Sequence, residues 1–383
     1  MTKTEPTEAS RADLLSATLN HLRQLVACDT QNPPREISAS GVFDYLRAQL
    51  RQNEQFGEFR FEFEDHGEGC QSLLALRGEP RILFNFHVDT VPASKSWAGD
   101  PFALEVTNDR AIGLGACDIK GASACMLAAL AQAPGDVALL FTSDEEAGSS
   151  RCVREFMKAY NSPENTRKFD AVIVAEPTQG VAVLEHRGIS TASGVFKGVA
   201  GHASERRALA DSAVHRAVRW ADAAVKYAEA HEQTTYRSLS GIRFNIGAIE
   251  GGIKPNIIAP SASVRFGFRP LPDQDHDVLM AEVQALAVPQ NADEPEVEWS
   301  AGFFGPTLPA DGDVSKSRAF AEAIGLEVGE AVDFWTEASL FSQGGLPAVV
   351  YGPGDIAQAH TAGEWVELAQ LEQVAQTYKR LLS

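Results

Sequence analysis

Cysteine is scarce and shows no pairing pattern. The five residues are an odd number without framework spacing, which reads as free thiols in a reducing compartment and argues against a disulfide scaffold. Positive charge is also in deficit. Lys and Arg total 33 against 52 Asp and Glu, a formal charge of -19, and the isoelectric point lies near 4.9. That balance argues against nucleic acid or an anionic membrane surface as partner, since both demand basic patches. No run approaches the roughly 20 apolar residues that a spanning helix needs. The opening MTKTEPTEASRADLL lacks the apolar stretch of a secretory signal, so the expected location is the cytoplasm. Internal repeats and low-complexity segments are missing too, which argues against a solenoid.

A chain of 383 residues, 44% of them hydrophobic, exceeds what one core usually organises, so two domains are expected. LLSATLNHLRQLVAC and VFDYLRAQLRQ have helical periodicity. Strand-like runs and helices then alternate to about residue 187, the pattern of a mostly parallel sheet flanked by helices. From STASGVFKGVAGHA onward the order becomes strand, helix, two strands, helix and strand, a small α+β insert. SRAFAEAIG, AVVYG and the closing helix return to the first style. The expected architecture is α/β: a discontinuous catalytic domain, 1–187 and 303–383, interrupted by an α+β lid or dimerisation domain at 188–302. EPTEAS near the start reads as a frayed terminus.

Four apolar runs end in metal-type residues. ILFNF leads to His87 and Asp89, VALLFTS to Asp144, Glu145 and Glu146, AVIVA to Glu176, and AVVYGPG to His360; Asp118 lies in GLGACDIKG. Ligands of an open parallel sheet gather beyond the carboxyl ends of its strands, so residues distant in sequence can meet there. Imidazole and carboxylate suit zinc, and two ions about 3.5–4 Å apart share a bridging carboxylate. His87, Asp118, Glu146, Glu176 and His360 supply five such groups. Asp89, on the same strand face as His87, can accept the other imidazole N–H. Glu145 is then left over at the metal edge, where water activation needs a general base. Each motif alone has a plainer reading: an exposed loop histidine for H-x-D, a solvated helix start for DEE, and an ordinary strand-to-turn residue for Glu176. Their joint placement after strand-like runs favours a site.

FNFHVDTVP, GLGACDIKGA, TSDEEAGS, VAEPT, GHAS and GPGDIAQAHTAGEWV together resemble the zinc amidohydrolase family of acetylornithine deacetylase, succinyl-diaminopimelate desuccinylase, aminoacylase and carboxypeptidase G. VDFWTEASLFSQGG, NIGAIEGGIKPNIIAP and RFGFRPLPD look most like its acetylornithine and N-acetylcitrulline deacetylase branch. The resemblance implies two Zn2+ per subunit, with Co2+ a possible substitute. Asp118 would bridge them, His87 and Glu176 would complete one, and Glu146 and His360 the other. Glu145 would be the base and Asp89 would orient His87. A cis peptide between Asp118 and Ile119 is also implied. Many relatives carry Arg where this chain has Leu114, a change expected to affect loop packing and not metal binding.

The lid carries further candidates. His202 in AGHASER reads on its own as a surface-loop histidine. By resemblance it would enter a partner subunit's active site and stabilise the oxyanion, with Asn256 also arriving in trans. Arg265 and Arg269, four apart on a presumed strand, face one way and suit a substrate carboxylate, although either could be a solvated strand arginine. Arg187 would clamp substrate or form an ion pair. Gly352 and Gly354 would line a substrate loop or simply form a turn. The expected reaction is metal-assisted hydrolysis of the acetyl amide of a small N-acetyl amino acid, acetylcitrulline or acetylornithine, by a homodimer joined through the lid, in arginine biosynthesis. The alternatives are another acyl amino acid or dipeptide as substrate, or a scaffold that keeps metal for structure alone.

Overall fold

The computed structural model describes residues 8–34, 36–146, 148–290 and 294–383. The chain divides into two compact units. The first comprises Met1–Leu184, Asp313–Gly329 and Thr336–Ser383, and the second Glu185–Gly312 and Glu330–Trp335.

Runs such as VALLFT are apolar on both faces, and the structure buries them on both faces. The first unit is built on a six-stranded sheet ordered Arg60–Asp65, Gln71–Arg77, Val137–Thr142, Ile82–His87, Ala171–Val174 and Ala348–Val350. The last four strands run parallel, and the first two form an antiparallel extension. Every residue of Val137–Thr142 and of Ala171–Val174 is buried, as a sheet covered by helices requires. Helices Glu8–Ala27, Lys120–Leu130 and Leu368–Leu381 pack on one another, and Arg151–Tyr160 packs on Ala338–Gln343. Phe86 stacks on Phe141 at 5.5 Å and meets Tyr378 edge-on at 6.2 Å. Full burial of one such ring contributes about 1.5–3 kcal/mol.

The second unit follows a different rule. Ile189–Lys197 alternates between buried and half-buried residues, so only one face of its sheet is covered. That sheet is antiparallel throughout, ordered Phe244–Gly251, Ser261–Phe268, Ile189–Lys197 and Glu298–Gly305. Helices Ala213–Ala230 and His276–Ala285 supply the covering residues Trp220, Leu279 and Val283. The Trp220 ring centroid lies 4.9 Å from that of Phe266, and its indole N–H donates to the Val283 carbonyl at 3.0 Å.

The α/β expectation is seen, and the insert keeps the expected strand–helix–strand–strand–helix–strand order with a short helix, Ala208–Asp211, and a small hairpin, Thr235–Tyr236 with Leu239–Ser240, added after its first strand. Part of EPTEAS lies outside the described residues, and from Glu8 it is already helix, so the frayed-terminus reading does not hold there. Among the described residues no helix is long and apolar enough to cross a membrane, and all five cysteines are free.

Candidate active site

The parallel strands Val137–Thr142, Ile82–His87, Ala171–Val174 and Ala348–Val350 deliver their following residues to one edge of the sheet. His87 ends its strand, Glu145 and Glu146 follow the next, Glu176 lies just past the third, and His360 comes on the loop after the fourth. Asp118 arrives from the turn before helix Lys120–Leu130. His87 Nε2 lies 3.0 Å from Asp118 Oδ1 and 4.0 Å from Glu176 Oε1. His360 Nε2 lies 3.4 Å from Asp118 Oδ2 and 3.1 Å from Glu146 Oε2. Asp118 is thus in contact with both imidazoles. Donor atoms of His87, Asp118 and Glu146 fall within 4.8 Å of one another, close enough to hold a metal ion.

Carboxylates outnumber imidazoles at this cluster, and the charge of each group acts on its neighbours. Burial pushes Glu145 well above the usual carboxylate range; His87 pulls it back, and the charges of Glu176, Glu146 and Glu337 add to the rise. Burial and Asp118 raise Glu176 in the same way, and Glu146 is raised less. Asp118 goes the other way. Burial opposes its ionisation, yet hydrogen bonds with His360 and His87 hold it well below its ordinary value. Burial alone would lower His87, but Asp118, Asp89 and Glu176 hold it well above its usual value. Hydrogen bonds with Asp118 and Glu146 raise His360 to about 10. Four clustered carboxylates against two imidazoles fit divalent cations in charge, and the nitrogen–oxygen donor set suits zinc-like metals.

Asp89 holds the site together differently from expectation. His87 Nδ1 meets the main-chain oxygen of Asp89 at 3.0 Å, while the carboxylate is 3.6 Å away. That carboxylate is occupied elsewhere: it accepts from Asn32 Nδ2 at 2.8 Å, Glu146 N at 3.0 Å and Glu145 N at 3.4 Å. It therefore fixes the turn that presents Glu145 and Glu146. The DEE segment divides in two. Asp144 caps helix Arg151–Tyr160, accepting from Arg151 N at 2.6 Å and Cys152 N at 3.2 Å, as carboxylates at helix starts do. The two glutamates turn to the site.

The Asp118–Ile119 peptide is cis, as the resemblance implied. Leu114 is buried, consistent with a packing role. Gly352 and Gly354 lie in a turn whose backbone polar groups are already paired. Gly352 N donates to Thr178 Oγ1 at 3.0 Å and Gly354 N to Gln370 Oε1 at 2.7 Å. Their carbonyls accept from Gly180 N and Gln179 N. A Cβ on Gly352 would stand 2.6 Å from the Glu176 carbonyl oxygen, so glycine is what lets this turn lie against a candidate ligand.

Within the second unit, His202 is exposed on its loop, with Nδ1 2.8 Å from Ser204 Oγ. Its neighbour Ala203 donates to the Asn256 carbonyl at 3.1 Å, so the two proposed oxyanion residues lie on adjoining strips of chain. Arg265 and Arg269 do share a face: with Arg243 and Asn245 they line one cavity of about 690 Å³. Arg187 is fully buried and donates to Asp333 Oδ1 at 2.5 Å and to the carbonyls of Gly241, Ser240 and Arg269. Of its two readings the ion pair is the one seen.

Some residues at the site escaped the sequence. Asn32 holds Asp89. Glu364 accepts N–H groups from the Asp118 loop, and burial and Asp118 push it up to about 7. Glu337 is buried, and its carboxyl is pushed up to about 8 by burial and then by Asp144. None lies at the end of an apolar run, and only the position of Glu364 four residues past His360 hinted at a role.

Residues 83–383 match the profile of Peptidase family M20/M25/M40. The chain belongs to this family. The match covers every candidate ligand from His87 to His360, and the family is one of metal-dependent hydrolases. Over 379 residues the chain is 51% identical to N-acetyl-L-citrulline deacetylase of Xanthomonas campestris pv. campestris, covering 97% of this chain and 99% of that one. It is 29% identical over 379 residues to acetylornithine deacetylase of Myxococcus xanthus, covering 94% and 95%. A tripeptidase structure from Staphylococcus aureus superposes with a TM-score of 0.72 at 19% identity, covering 96% and 97%. A dinuclear metal-binding M20 peptidase from Bacillus subtilis gives 0.63 at 15%, covering 96% and 97%. These two likenesses concern the fold alone.

Proposed function

We propose that the protein hydrolyses the acetyl amide of N-acetyl-L-citrulline, giving acetate and citrulline, in arginine biosynthesis. The observation that carries the chemistry is the convergence of His87, Asp118 and Glu146 donors beside Glu145. The substrate rests on the 51%-identical relative, which outweighs the acetylornithine and succinyl-diaminopimelate enzymes at 29% and 28%.

The residues that would hold two Zn2+ ions, or Co2+ in their place, are Asp118 between them, His87 and Glu176 on one side, and Glu146 and His360 on the other. Bound ions would polarise the amide carbonyl and lower the pKa of water. Glu145 takes the proton of the attacking water on its carboxylate and returns it to the leaving amine nitrogen. A site that kept metal for structure alone would have no use for this carboxylate. Asp89 holds the Glu145–Glu146 turn still. Arg265 and Arg269 bind the α-carboxylate, and His202 with Asn256 donates to the developing oxyanion in a cytoplasmic homodimer joined through the lid.

Turnover of N-acetyl-L-citrulline and N2-acetyl-L-ornithine by the purified, metal-loaded protein tests the reading, with kcat/KM expected to favour acetylcitrulline at least about tenfold, a discrimination of about 1.4 kcal/mol. Hydrolysis of neither would overturn deacetylation. A reversed preference would overturn only the choice of citrulline.

A further inference from the structure

Three backbone N–H groups from the loop before helix Lys120–Leu130 converge on one buried carboxylate. Glu364 Oε1 accepts from Cys117 N and Asp118 N, both at 2.9 Å, and Oε2 accepts from Gly115 N at 3.0 Å. The main-chain oxygen of Glu364 accepts a fourth bond, from Gly113 N at 3.0 Å. The residue is 1% exposed, so water cannot take over these donors without opening the core.

The bonds fix a candidate ligand from behind. Asp118 N is held on Glu364, while the carboxylate of the same residue reaches His87 at 3.0 Å and His360 at 3.4 Å. Both ends of Asp118 are therefore tied. Glu364 also closes the loop that carries His360. That loop turns through left-handed backbone at His360, φ 60, and at Gly363, φ 85. Immediately after Glu364 the chain joins strand Trp365–Glu367, whose Trp365 pairs with Ile112. One side chain thus links the loop bearing Asp118 to the loop bearing His360.

We propose that Glu364 is a positioning residue that sets the metal affinity of this centre. The proposal rests on the reading of His87, Asp118, Glu146, Glu176 and His360 as metal ligands. Only an ionised carboxylate presents acceptors alone to three converging N–H donors. Glutamine, of the same shape, would turn an NH2 group toward at least one of them. The buried N–H left facing a donor loses its partner, the loop relaxes, and Asp118 leaves its place between the two imidazoles.

The test titrates metal-free protein with Zn2+ against a fluorescent chelator, and records far-UV circular dichroism and the melting temperature of the metal-free state. E364Q is expected to keep its circular dichroism and weaken zinc binding about 10–100-fold, the usual cost of disturbing a group that orients ligands. E364D keeps the charge on a shorter arm and is expected to lose less; it serves the same titration if E364Q does not fold. Leu46→Ala, a buried residue of the first unit, is the control for lost stability and should bind zinc as wild type does. Zinc affinity of E364Q within about twofold of wild type, a loss in E364D as large as that in E364Q, or an equal loss in L46A, overturns the proposal while leaving the metal reading intact; where E364Q does not fold, E364D within about twofold of wild type does so. A wild-type protein that takes up no zinc overturns both.

Discussion

Oδ1 of Asp118 meets Nε2 of His87 at 3.0 Å, and Oδ2 meets Nε2 of His360 at 3.4 Å. A single carboxylate between two imidazoles is the arrangement that a bridging ligand needs. Asp118→Ala is expected to remove at least one of the two proposed metal ions and to lower the melting temperature of the loaded protein, since stabilisation by a ligand disappears with the ligand. Metal analysis of the purified variant decides the matter. Content equal to wild type would mean that Asp118 is not shared.

Among the described residues Glu145 feels the charge of His87 without lying in ion-pair contact with an imidazole, whereas Glu146 Oε2 lies 3.1 Å from His360. Glu145→Gln is therefore expected to keep both ions and lose about 10²–10⁴ of kcat, the usual worth of a positioned proton acceptor. Metal content and turnover must be read on the same preparation. Full metal with kcat within about tenfold of wild type would give the base role to another group.

The convergence of the candidate ligands was legible because the parallel sheet puts the ends of four apolar runs at one edge, and the runs themselves were readable. The residues behind that set were not. Asp89 was correctly attached to His87, but which oxygen met the ring depended on Asn32, whose hydrogen bond spans 57 positions in sequence. Glu364 and Glu337 look like any other glutamate until the fold buries them. Arg187 and the glycine pair each carried two readings in the sequence, and the contacts that show the ion pair and the turn, Arg187 with Asp333 and Gly352 with Thr178, join positions far apart in the chain.

Gly352 offers a prediction that a simple turn glycine would not. Its missing Cβ would stand 2.6 Å from the Glu176 carbonyl oxygen and 3.2 Å from Glu176 N, so Gly352→Ala must push the candidate ligand. The expected result is a loss of stability of about 1–3 kcal/mol, typical of overpacking, together with weaker metal retention under chelator challenge. Denaturant midpoints unchanged from wild type would show that the turn yields without moving Glu176.

The trans role proposed for His202 and Asn256 is read from mixed subunits. His202→Ala and Glu145→Gln proteins are each expected to be nearly inactive, with loss of an oxyanion donor costing about 10²–10³ in rate. If His202 acts across an isologous lid contact, exchange between the two variants gathers both defects at one site and leaves the other whole. Activity then recovers to an appreciable fraction of wild type. Confirmed heterodimers without recovery would confine His202 to its own subunit.

Glu337 makes the metal-free protein pH-sensitive. Its carboxyl, ordinarily near 4.5, is pushed up to about 8 by burial and then by the charge of Asp144. The folded state therefore keeps a proton that the unfolded chain has released between those values. Stability from this group is fully present below pH 4.5 and is lost as pH rises through about 8, with a slope approaching about 1.4 kcal/mol per pH unit where the difference is a full proton. Glu337→Gln cannot ionise, so its stability should fall less between pH 5 and about 8 than that of wild type. Urea denaturation of both chelated proteins across this range measures the difference directly. Parallel curves would show that Glu337 holds no extra proton in the folded state, and the pH dependence would then belong to Glu145, Glu146 and Glu176.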